Sequence, residues 1–136
     1  MGTEPDTRPL LDALVGRGLS VLLPILLPDC DLDWASYSGW ASLVPVPRGL
    51  LEPPGARLGV EAVREADLVL VPGLAVDHLG RRLGRGGGSY DRVLARVSRE
   101  RSFVVVYDEE VLNEIPVLPH DRPVGGALTP SRVLRF

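Results

Sequence analysis

Lysine is absent from this chain: all 15 basic residues are arginine. That excludes every chemistry needing a lysine amine, a Schiff base and a P-loop lysine among them. GC-rich coding accounts for the bias without any functional meaning. Cysteine is nearly absent as well. Cys30 alone cannot form an internal disulfide, and no Cys/His cluster has the spacing of a structural zinc site. Long hydrophobic runs are missing too. Leu19 to Leu27 is interrupted by Pro24 and falls far short of the roughly 20 residues that a bilayer span requires. The opening stretch, Met1 to Asp6, carries Glu4 and Asp6 and no apolar segment, so no signal peptide is expected. These absences predict a reduced, cytoplasmic protein with no membrane partner.

What is present fits an ordinary globular chain. With 136 residues, 45% apolar and 24% charged, the sequence predicts one domain over 1–136 that buries roughly two-thirds of its unfolded surface. The net charge of −3 argues against nucleic acid as a partner. The 15 glycines and 13 prolines predict many loops and short elements.

Thr7 to Gly18 reads as a helix: Thr7 as cap, Pro9 in the first turn, an apolar stripe of Leu10, Leu11, Leu14 and Val15, and Gly16 or Gly18 at the end. Leu19 to Leu23, apolar but for Ser20, suits a strand buried on both faces. Pro28 to Trp40 is polar and irregular, and Leu43 to Pro47 is extended. Val60 to Ala66 is a short helix before a strand at Asp67 to Val71. A glycine-rich loop, Pro72 to Gly88, leads into a helix from Ser89 to Arg99, and a third strand follows at Phe103 to Tyr107. Asp108 to Asn113 reads as one helical turn, with Asp108 as its cap. This alternation predicts an α/β layer structure with parallel pairing.

The stretch that carries chemistry runs from Arg81 through Arg82, Leu83, Gly84, Arg85, Gly86, Gly87, Gly88, Ser89 and Tyr90 to Asp91. A glycine loop between strand and helix lets backbone N–H groups approach an anion, and the helix start favours phosphate. Arg82 and Arg85 can fork onto phosphate or carboxylate oxygens, and Asp91 could hold a Mg²⁺ beside a polyphosphate. The P-loop pattern fails for want of lysine, and the dinucleotide pattern G-x-G-x-x-G meets Ser89 where its third glycine belongs. The competing reading is a plain hairpin whose glycines only make a turn.

Asp67-Leu-Val-Leu-Val-Pro-Gly-Leu-Ala-Val-Asp77, followed by Gly80 to Arg92, closely resembles the 5-formyltetrahydrofolate cyclo-ligase (5,10-methenyltetrahydrofolate synthetase) family. Glu4 to Thr7, Asp31 to Trp34, Gly49 to Pro53, Ile115 to Val117 and His120 to Val124 resemble other segments of that family, so the likeness covers nearly the whole chain. It implies a three-layer α/β/α domain with a mainly parallel sheet, N-terminally truncated relative to the family, whose usual first strand and nucleotide-contacting helix this sequence lacks. A sheet edge left exposed in that way would allow an otherwise monomeric chain to self-associate. The implied reaction is ATP-dependent closure of 5-formyltetrahydrofolate to 5,10-methenyltetrahydrofolate with release of ADP and phosphate. The resemblance places Arg82, Leu83, Gly84, Arg85, Gly86, Gly87, Gly88, Ser89 and Tyr90 at ATP. It places Glu4, Arg85, Gly86, Gly87, Gly88 and Ser89 at the reduced formylfolate, Arg85 as the catalytic group, and Asp91 and Asp121 as Mg²⁺ ligands.

Other residues have plainer readings. His120-Asp121 by itself is a surface turn before Pro123, and Asp108-Glu109-Glu110 is a helix start. Trp34 and Trp40 either stack on a pterin or cover a core edge. Gly87 and Ser89 stand where the family varies or carries an aromatic, and Gly125 replaces a common acidic residue. Two other functions stay open: a truncated paralogue that only binds nucleotide or folate, and a sugar-phosphate or CoA-ester enzyme on a related scaffold. The last would want a catalytic glutamate or lysine beside the loop, which the sequence does not offer.

Overall fold

A computed structural model describes residues 4–136; Met1 to Thr3, part of the opening stretch read for a leader, lie outside the described residues. The described chain forms two compact units, one of residues 6–62 and one of residues 63–136 together with Glu4 and Pro5.

In the first unit, α1 (Arg8–Gly16) starts with Pro9 in its first turn. Asp6 rather than Thr7 caps it, accepting the Arg8 N–H at 3.0 Å. The expected buried parallel strand is instead one arm of a hairpin: β1 (Leu22–Leu26) pairs antiparallel with β2 (Leu32–Ser36). Its turn is closed by the Cys30 N–H on the Leu27 carbonyl and the Leu27 N–H on the Asp31 carbonyl. Within β1 only Ile25 is fully buried, and Pro24 is tolerated because a two-stranded ribbon leaves each strand an unpaired edge. The segment read as irregular, Pro28 to Trp40, therefore contains the strand β2. Asp33 Oδ1 accepts its neighbour's N–H, from Trp34, and that of Gly59 at 2.7 Å. Leu32, Trp34, Ala35 and Tyr37 supply the core of this unit. A second hairpin joins β3 (Val44–Val46) to β4 (Leu50–Glu52). Trp40 is partly exposed beneath the Arg8 guanidinium, 4.1 Å from the ring centre.

The second unit holds β5 (Val69–Pro72), β6 (Ala75–Asp77), β7 (Arg82–Leu83), α2 (Ser89–Leu94), β8 (Ser102–Val105), β9 (Val111–Leu112), β10 (Gly126–Leu128) and β11 (Val133–Arg135). The main sheet runs β11-β10-β8-β5, parallel except for the edge strand β11. The apolar runs at Asp67 to Val71 and Phe103 to Tyr107 thus become neighbouring parallel strands. Val71, Val104 and Ala127 are buried side by side on β5, β8 and β10, each valine there stabilising the fold by about 1.5–3 kcal/mol.

A three-stranded sheet, β7-β6-β9, takes β6 and β7 from the stretch read as a glycine-rich loop and β9 from the end of the stretch read as one helical turn. Its turn is organised by Asp77, whose fully buried carboxylate accepts the N–H groups of Leu79 and Arg81 and pairs with the Arg81 guanidinium. The helix α2 ends at Leu94, sooner than expected. The Arg96 N–H closes a tight turn on the Val93 carbonyl, and the Arg96 carbonyl accepts from the Arg64 guanidinium. Gly125 has a steric reason: a Cβ there would collide with the backbone of Arg99 and Glu100.

Candidate functional site

The loop from β7 to α2 presents backbone rather than side chains. Gly88 caps α2 with φ 75°, and Gly86 has φ 97°, conformations that a side chain disfavours. Arg85, Gly86 and Gly87 are exposed, while Gly88 and Ser89 are half-buried. Since α2 has six residues, it supplies few aligned peptide dipoles, and loop N–H groups carry most of what an anion would meet. Leu83 belongs to the hairpin, its carbonyl accepting the Leu74 N–H at 2.8 Å.

The two arginines differ. Arg82 is buried, its Nη1 donating to the Pro72 carbonyl at 2.7 Å and its Nη2 lying 3.6 Å from Asp91 Oδ1. Gly84 passes so close that a Cβ there would sit 3.1 Å from Nη1. Arg85 is exposed and pairs with Glu4 at 3.0 Å. The Glu4 carbonyl in turn accepts the Tyr107 hydroxyl at 3.1 Å. Burial pushes the Tyr90 hydroxyl up to about 12; the Arg82 charge opposes this and the Glu4 charge adds to it.

Asp91, in the first turn of α2, accepts the Arg122 N–H at 3.2 Å, and Asp121 accepts the Leu118 N–H at 2.7 Å. One ligand atom from each of Asp91, His120 and Asp121 lies within 4.8 Å of the others. Donors bound to one divalent cation at about 2.0–2.2 Å are separated by roughly 4 Å or less, so small side-chain movements would close this set around an ion. The residues present fit a divalent cation. A shallow depression of about 300 Å³ lined by Arg99, Glu100, Gly125, Arg135 and Phe136 shares no residue with this group.

The structure thus brings Glu4, Arg82, Arg85, Tyr90, Asp91 and Asp121 into one unit around the glycine loop. The family model described as "5-formyltetrahydrofolate cyclo-ligase family" matches residues 1–130. The chain belongs to the 5-formyltetrahydrofolate cyclo-ligase family. It is 44% identical to the 5-formyltetrahydrofolate cyclo-ligase of Mycolicibacterium smegmatis over 138 aligned residues, covering 97% of this chain and 71% of the relative. The Escherichia coli K12 cyclo-ligase is 34% identical, with 96% and 74% covered. Among solved structures, the NMR structure of Aquifex aeolicus 5,10-methenyltetrahydrofolate synthetase superposes with a TM-score of 0.79 at 31% identity. That likeness covers 97% of this chain and 66% of the Aquifex chain.

Within this cyclo-ligase-family chain, two site residues escaped the sequence reading. His120 read as a surface turn, because nothing in the sequence brings it near Asp91. Tyr107 read as the end of a strand; its hydroxyl reaches Glu4 across 103 residues of sequence. Asp108 does not cap the turn that follows it. Glu110 takes that place by accepting the Tyr107 N–H, while Asp108 binds Thr129 and Ser131 and ties down the β10–β11 turn. Trp34 is a core residue, buried to 6% exposure. Among the described residues no helix is long and apolar enough to cross a membrane.

Proposed function

We propose that this chain converts 5-formyltetrahydrofolate and ATP into 5,10-methenyltetrahydrofolate, ADP and phosphate. The observation that carries the proposal is the gathering, in one unit, of the glycine loop, the Glu4–Arg85 pair and the Asp91/Asp121 carboxylates. The family match across residues 1–130 supports reading the chain as one functional domain.

In this reading the formyl oxygen attacks the terminal phosphorus of ATP and the bond to ADP breaks. N10 then attacks the activated formyl carbon, loses its proton, and phosphate departs. Little covalent work falls to the protein, whose part is positioning and charge neutralisation. The N–H groups of Gly86 to Gly88 and the Arg85 guanidinium bind the oxygens of the transferred phosphoryl group. Leu83, Gly84, Ser89 and Tyr90 complete the nucleotide-facing surface, and Arg82 holds Asp91 from behind. Glu4 orients the folate near its formyl group, and its present bond to Arg85 keeps both groups in place until substrates arrive. Asp91 and Asp121 would hold a Mg²⁺, which neutralises polyphosphate charge. A reduced folate and a lone thiol suit the cytoplasm.

The test is to add 5-formyltetrahydrofolate and Mg·ATP to pure protein and follow the near-UV absorbance of the methenyl product. Growth of that band supports the proposal. No growth, with saturable nucleotide or folate binding by calorimetry, replaces turnover by binding alone; neither signal removes both.

A further inference from the structure

The cation reading uses two carboxylates, and the structure sets a third donor beside them. His120 Nε2 is 3.6 Å from Asp121 Oδ1, and a ring nitrogen lies within 4.8 Å of the Asp91 oxygen as well. The imidazole is 67% exposed, so it has no packing duty that would explain its place. Asp91 and Asp121 are each fixed by a backbone N–H from elsewhere, which leaves an oxygen of each for an incoming ion. Behind Asp91, the buried Arg82 guanidinium lies 3.6 Å from Oδ1, the same oxygen that accepts the Arg122 N–H.

Charge decides what kind of ion suits the set. Two carboxylates facing one guanidinium leave roughly a single negative charge, which is little for a hard cation bound through oxygen. An imidazole adds a donor without adding charge, and it favours the later first-row divalent ions over Mg²⁺.

We propose that His120 is a third protein ligand of this cation site and sets its preference, so that without nucleotide the site takes Co²⁺ in preference to Mg²⁺. The proposal rests on the reading of Asp91 and Asp121 as cation ligands. To test it, the untagged full chain is titrated with Co²⁺ at pH 7.5 without nucleotide, the visible d–d absorption is followed, and Mg²⁺ affinity is measured separately by calorimetry. One equivalent of Co²⁺ is expected to bind more tightly than Mg²⁺. His120→Asn is expected to weaken Co²⁺ by at least about tenfold while shifting Mg²⁺ affinity by no more than about twofold. Its melting temperature reports that the fold is intact. Unchanged Co²⁺ affinity in His120→Asn, or no Co²⁺ bound by the wild type, overturns the proposal. Asp91→Asn separates the two levels. If it loses both cations while His120→Asn binds Co²⁺ normally, the carboxylate site stands and the role of His120 falls. If neither variant alters either affinity, both fall together.

Discussion

The buried guanidinium of Arg82 donates to the Pro72 carbonyl and lies 3.6 Å from the Asp91 carboxylate, so one side chain ties the end of β5 to the first turn of α2. Removing it takes the guanidinium from the Pro72 carbonyl and leaves Asp91 with the Arg122 N–H alone of these two partners. Arg82→Ala is expected to destabilise the protein by about 1.5–3 kcal/mol in urea unfolding. Arg82→Lys keeps a charge near Asp91 but cannot fork to both partners, so it should restore little of the stability.

Arg85 predicts the opposite pattern. Its pair with Glu4 is exposed, and such pairs contribute at most about 1 kcal/mol to folding. Arg85→Ala should therefore fold normally yet lose a charge-assisted contact of roughly 1.5–3 kcal/mol to the phosphates, a ten- to hundredfold fall in ATP affinity. Calorimetry reads the affinity, and an unchanged value would remove Arg85 from the phosphate site.

Asp77 predicts an acid limb of stability. Burial pushes its carboxyl up, but the backbone N–H and guanidinium of Arg81 and the Leu79 N–H together outweigh this and hold it below the usual carboxylate range. A depressed native value gives stability that is present above about pH 4 and lost as pH falls through the lowered value. Asp77→Asn should cost about 1–3 kcal/mol near neutrality, and its difference from wild type should shrink in strong acid. Urea unfolding at a series of pH values checks the convergence.

Tyr90 governs the alkaline end. With its hydroxyl raised to about 12, it contributes stability that is complete below pH 10 and disappears as pH rises toward 12. The near-UV tyrosinate band should show late-ionising components from Tyr90 and from Tyr37, which burial and the Asp12 carboxylate also raise. Tyr90→Phe should remove one of them.

The parallel strands β5 and β8 of the main sheet were legible because uninterrupted runs such as Leu68 to Val71 and Phe103 to Val106 leave no polar face to expose. The hairpin of β1 and β2 was not, since Asp31 and Asp33 look like loop residues while Asp33 in fact secures Gly59 and its own strand by accepting backbone N–H groups. The β6–β7 hairpin hid in a glycine-rich stretch for a similar reason. Its signal was Asp77 followed three residues later by Gly80, flanked by Ala75-Val76 and Arg81-Arg82, a carboxylate placed to gather the N–H groups of its own turn. The loop and both carboxylates could be named from the motif. The convergence of His120 on Asp91, and of Tyr107 on Glu4, depends on long-range packing that no local pattern encodes.

Stoichiometry tests the proposed reaction most directly: inorganic phosphate and methenyltetrahydrofolate measured together, with pure protein and Mg·ATP, with and without 5-formyltetrahydrofolate. One phosphate released per methenyl group formed, and none without the folate, is the expected result. Phosphate released at the same rate without folate, or a methenyl band that grows without ATP, would contradict a mechanism in which the formyl oxygen receives the phosphoryl group.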